Sequence, residues 1–175
     1  NADVGEYTNA MYLATIFGIF VELGLSAALI REVARDVEKA EEYLSTIVGM
    51  KLIAAIMTYA ALVIFLHVFS YPTLARQLVY IAGLVMLLDS FNVSFYAVLR
   101  GVQNFAYEAF GVVLGQILIV SFGLYAIFSG WPLHYLVVAV LLSSIWNFLF
   151  SAAVLRFKLN ISLLPCFEKR SIRAL

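Results

Sequence analysis

The chain has 175 residues, 64% of them apolar and only 13% charged, with a mean hydropathy of +0.98; a water-soluble domain of this length cannot hide that much apolar side chain, and disorder is excluded. Its 11 Lys+Arg balance 11 Asp+Glu, so no basic excess exists for a phosphate backbone and a nucleic-acid partner is excluded. A single cysteine, Cys166, excludes an internal disulfide and a cysteine metal cluster.

A helix needs about 20 mostly apolar residues to cross the hydrocarbon layer. Five stretches meet that need: Tyr7–Ile30, Tyr43–Phe69, Gln77–Leu99, Ala109–Ser129 and Leu133–Leu155. The runs are continuous and do not alternate, so they predict helices and not barrel strands. The expected fold class is an all-α membrane protein with five transmembrane helices in one partial domain. The chain opens on Asn1 and not Met, which reads as an excerpt of a longer protein, and no cleavable signal peptide is visible.

Between the first two spans lies a charged linker, Arg31–Glu42, with Val33, Val37 and Ala40 at helical spacing. It predicts a surface-lying helix that extends the first span. Ser70-Tyr71-Pro72, Gly101–Asn104 and Ser129-Gly130-Trp131-Pro132 punctuate the remaining spans. Tyr71, Trp131 and Tyr135 cluster at span ends, as in an interfacial aromatic belt. Nine Lys and Arg fall on the side of the linker and the tail after Arg156, whereas Arg76 stands alone on the other. The positive-inside rule then predicts a multi-pass protein of the cell membrane, its N-terminus outside and its tail, 156–175, cytoplasmic.

Ionisable groups at membrane depth cost about 2.5–3.5 kcal/mol each at a helix centre, so they face protein or water. Asp89 falls near the middle of the third span, with Asn92, Tyr96 and Arg100 following on one helical face. Two readings stand: a cavity face with Asp89 as a proton or cation site, or a buried carboxylate that fastens neighbouring helices. Lys51 lies within the second span, where it can hold a phosphate or pair with a carboxylate. Snorkelling of its long stem to the interface is the preferred reading, because a 27-residue span can start later than Tyr43. Glu22 lies on a polar stripe with Thr8, Tyr12, Thr15 and Ser26, which suits a wet groove or helix-to-helix hydrogen bonding. Asn147, with Ser143, Ser144 and Ser151, marks a polar face on the fifth span, and packing is the preferred reading there. Gly111 and Gly115 form a GxxxG that lets a neighbouring helix approach closely.

His67 and His134 fall near the outer interface without a second ligand at metal spacing. No HExxH, GxSxG, Walker or GxGxxG pattern is present, so neither an enzyme nor a cofactor is expected.

From Val4 to Ile53 the sequence resembles the polysaccharide-biosynthesis membrane proteins, the oligosaccharide flippases of the multidrug/oligosaccharidyl-lipid/polysaccharide exporter superfamily. The residues that carry the resemblance are Gly5-Glu6-Tyr7, Glu22-Leu23-Gly24-Leu25 and Arg31-Glu32-Val33-Ala34-Arg35. The stretch from Leu99 to Ala109 is similar to the family's boundary between helices four and five. The resemblance implies helices two to six of the N-terminal lobe of a MATE-like exporter fold, completed by further helices of the full-length protein. It also implies a polyprenyl-linked glycan as substrate, moved by alternating access between the leaflets. In that setting Lys51 is the available intramembrane cation for phosphate, and Asp89 and Glu22 are the carboxylates for coupling to H+ or Na+. The rival readings are a cation-coupled multidrug exporter of the same superfamily and a non-catalytic membrane assembly subunit.

Overall fold

The computed structural model describes residues 12–13, 15–19, 21–22, 24–69, 73–132 and 135–161. Thr8, Tyr71, Pro72, His134, Cys166 and the tail beyond residue 161, singled out above, lie outside the described residues. Among the described residues every regular element is a helix. The described residues between 12 and 22 are helical. Then follow α1 (Leu25–Arg35), a 3₁₀ turn (Val37–Lys39), α2 (Ala40–Val68), α3 (Thr73–Gly101), α4 (Phe105–Phe128) and α5 (Leu136–Lys158). α2 to α5 are long and apolar enough to cross a membrane. They match the last four predicted spans within a few residues.

The first predicted span needs correction. Tyr7–Ile30 is not one continuous helix, because the chain breaks at Gly24, whose φ of 76° is left-handed. Only glycine adopts that conformation without a steric cost against Cβ. The Gly24 carbonyl accepts from the Ala27 and Ala28 N–H groups at 3.1 and 3.2 Å, and this starts α1 afresh. The surface helix therefore begins at Leu25, inside the predicted span, and ends at Arg35. It is amphipathic: Leu29 and Val33 are fully buried while Arg31 and Arg35 face outward. Both arginines donate to the buried Glu32 carboxylate, at 2.9 and 3.5 Å. At the following turn, the Lys39 ammonium 2.6 Å from Asp36 holds that carboxyl below its ordinary value.

Two apolar clusters hold the bundle. One lies at the end that carries Arg100, Arg156 and Lys158, and packs α1 on α2, α3 and α5 through Leu29, Val33, Leu44, Phe95, Leu99 and Leu155. The other lies towards the opposite end, around Val21, Leu62, Leu66, Leu78, Val79 and Val137. A Cβ on Gly101 would stand 2.6 Å from Val33 Cγ1, so the last turn of α3 presses directly on α1. α5 packs along both α3 and α4, whereas α3 and α4 touch each other far less. A cleft is left between them, with α5 as its back wall. The outer faces of α2 and α4 carry exposed Ile56, Met57, Ile64, Val113, Ile117 and Val120. Such faces match an acyl environment and not water.

Candidate functional site

Polar side chains gather at two places within the apolar layer. The first is centred on Lys51, which is fully buried. Its ammonium donates to Glu22 Oε2 at 2.5 Å, to the Ser90 carbonyl at 2.8 Å and to Ser26 Oγ at 3.3 Å. An ammonium has three donors, and these partners take all three. Ser90 Oγ adds a longer contact to the same Glu22 oxygen at 3.4 Å, and Ser26 Oγ lies 3.4 Å from Ser94 Oγ. The snorkelling reading of Lys51 is corrected by this geometry. α2 starts at Ala40, so Lys51 lies about 16 Å along the helix axis. Ion pairing inside the bundle replaces the reach to the interface.

The second place is the facing walls of α3 and α5. Asn92 Nδ2 donates to the Ser144 carbonyl at 3.3 Å and approaches Asp89 Oδ1 at 3.5 Å. Tyr96 donates its hydroxyl proton to Asn147 Oδ1 at 2.7 Å, and Asn147 Nδ2 donates to the Ser143 carbonyl at 3.0 Å. Ser151 Oγ donates to the Asn147 carbonyl at 2.7 Å. α4 closes on this polar wall because it is glycine there. A Cβ on Gly111 would stand 2.3 Å from the Tyr96 hydroxyl, and one on Gly115 would stand 2.4 Å from Asn147 Nδ2. The GxxxG is thus a packing device: Gly111 meets Tyr96 of α3 and Phe150 of α5, and Gly115 meets Asn147 and Ser143 of α5.

Between α3 and α4 the cleft encloses about 440 Å³. Asp89, Asn92, Tyr96 and Arg100 line it from α3, Glu108 and Gln116 from α4, and Ser143, Ser144 and Asn147 from α5. A second hollow of about 380 Å³ is lined by Thr15, Glu22, Ser90 and Asp89, with Met86 and other apolar neighbours. Asp89, Val93 and Val140 belong to both linings. Asp89 therefore sits where the two hollows adjoin, and it is exposed to them. A third, apolar hollow is lined by Phe17, Ala54, Met57, Thr58 and Ala61 and carries no charge.

Of the residues singled out in the sequence, the cleft brings together Asp89, Asn92, Tyr96 and Asn147. Glu22 joins them through the adjoining hollow. Lys51 does not line either one; it stands behind Glu22 with its protons already shared. The sequence reading missed the charge pair at the cleft's end. Arg100 Nε donates to Glu108 Oε2 at 2.8 Å, and Nη2 donates to Oε1. The signal available was the position of both residues on either side of the predicted break at Gly101–Asn104, which places them on adjacent turns.

No curated protein and no solved structure matches the chain. The family model described as polysaccharide biosynthesis protein matches residues 1–175. With four helices able to span a membrane among the described residues and a match over its whole length, the chain belongs to the polysaccharide biosynthesis protein family, as a membrane-embedded member.

Proposed function

We propose that this chain forms part of a transporter that passes a polyprenyl-phosphate-linked oligosaccharide across the cell membrane by alternating access. The observation that carries the reading is the cleft between α3 and α4. It offers amides and hydroxyls at membrane depth and one guanidinium at its end, beside outer faces fit for lipid. Sugar hydroxyls cannot cross hydrocarbon without replacement hydrogen bonds. Asn92, Tyr96, Gln116, Asn147 and the two serines supply donors and acceptors, while the tail of the lipid stays outside. Arg100 takes the phosphate role that the sequence reading gave to Lys51, because Arg100 is the one cation among the described lining residues of the cleft. Asp89, shared by two hollows, is the carboxylate for coupling to H+ or Na+, with Glu22 next in line. The Arg100 end faces the cytoplasm on the positive-inside count.

The test is export of lipid-linked glycan by the Asp89→Asn protein in cells. Export is expected to fall at least about tenfold while the amount in the membrane stays normal, a loss typical of removing one charged coupling group. Unchanged export makes Asp89 a helix fastener and removes it from the mechanism. Export of organic cations in place of glycan by the wild-type protein overturns the glycan reading in favour of a multidrug exporter.

A further inference from the structure

The corner between α3 and α4 carries an ion pair in addition to its backbone hydrogen bonds. Arg100 lies in the last turn of α3 and Glu108 in the first turn of α4, joined by a two-bond fork. The corner closes on its own backbone. Asn104 N–H donates to the Leu99 carbonyl at 2.8 Å, and Val102 N–H donates to the Val98 carbonyl at 3.0 Å. Gly101 is pressed against Val33 of α1 as well. Beyond this corner α4 approaches α3 at Gly111 and Tyr96, and the cleft lies between the two helices. The fork thus spans the end of the cleft beside a corner already held by its backbone.

Its charges decide what the cleft admits. The described ionisable lining is Asp89, Glu108 and Arg100. With Arg100 held by Glu108, an arriving anion meets a neutral pair and the carboxylate of Asp89, which is repulsive on balance. The guanidinium is the more reachable member, its side chain 40% exposed against 17% for Glu108. A tetrahedral phosphate can present two of its oxygens to the planar guanidinium fork, as a carboxylate does, and carries more charge, so it competes for the same two N–H groups.

We propose that the Arg100–Glu108 pair is a latch across the end of the cleft, opened when a phosphate-type anion displaces Glu108 from the guanidinium. The exchange releases the side-chain link across the cleft's end, while the backbone corner stays closed, and ties that release to the arrival of the anion. Glu108 is then an internal competitor that sets a threshold for entry. The latch rests on the lipid-phosphate reading proposed for this same cleft.

The experiment measures binding to the protein in nanodiscs, with polyprenyl diphosphate in one arm and inorganic pyrophosphate in the other. Glu108→Gln is expected to tighten binding about tenfold, the worth of one charge-assisted competitor. Arg100→Gln is expected to abolish it, and the double variant to match Arg100→Gln. Tightening in both arms assigns recognition to phosphate from either source; tightening in the lipid arm alone assigns it to the lipid headgroup. Glu108→Asp, which keeps the charge but shortens the reach, gives an intermediate gain and decides the matter if Glu108→Gln does not fold. Unchanged or weaker binding in the Glu108 variants overturns the latch. Absence of binding by the wild-type protein in both arms overturns the lipid-phosphate reading itself, whatever the variants do.

Discussion

A lysine without water contact is stable only if its charge is matched where it stands. Lys51 meets that demand through one carboxylate, one carbonyl and one hydroxyl, drawn from three different helical segments. Removing one partner of such a pair leaves a charge uncompensated, which costs about 3–5 kcal/mol for a fully buried pair. Glu22 is about one-third exposed, so water offsets part of that loss. Lys51→Met is therefore expected to destabilise by about 2 kcal/mol, read as a lowered Tm in detergent. Glu22→Gln combined with Lys51→Met should recover most of it. Additive losses in the double variant would show that the two residues act independently. The sequence identified both residues as costly in lipid. Their pairing was not legible, because it joins residues of separate helical segments 29 positions apart in the chain.

Glycines divide into three kinds along the elements. Gly24 has open space around its α-carbon and a left-handed φ, so Gly24→Ala is a purely conformational change, expected to cost about 1–2 kcal/mol. Gly115 has ordinary helical backbone but no room, its virtual Cβ lying 2.7 Å from Ser143 Oγ. Gly115→Ala forces α4 away from α5 and is expected to cost about 1–3 kcal/mol. Gly123 lies on the same helix with its nearest side-chain atom 3.5 Å off, at Leu136 Cδ2. Gly123→Ala is expected to be neutral within about 0.5 kcal/mol. Thermal unfolding of the three variants checks this order, and equal losses at Gly115 and Gly123 would remove the close-approach argument. The pattern Gly111-x-x-x-Gly115 was readable in the sequence as a contact. Its partner was not, since nothing in residue spacing says that α4 meets the Asn147 face of α5.

The bundle sets Arg100, Arg156 and Lys158 at one end and Arg76 and Trp131 at the other. In a background carrying Cys166→Ser, single cysteines at Lys158 and Trp131 are expected to react with an impermeant thiol reagent from opposite sides of the membrane, Trp131→Cys from outside. Labelling of both from one side would overturn the layout. Four of the five predicted spans, their boundaries within a few residues and the polar faces of α3 and α5 followed from the sequence. Helix length and hydrophobic runs are local properties that the bilayer thickness alone imposes. What only the tertiary structure decided is how those faces meet. α5 holds α3 and α4 apart, and this makes a cleft out of Asp89, Tyr96 and Asn147. The same packing withdraws Lys51 into an ion pair and sets Arg100 at the cleft's end beside Glu108. Such contacts join residues far apart in the chain, and close packing, not sequence spacing, selects them.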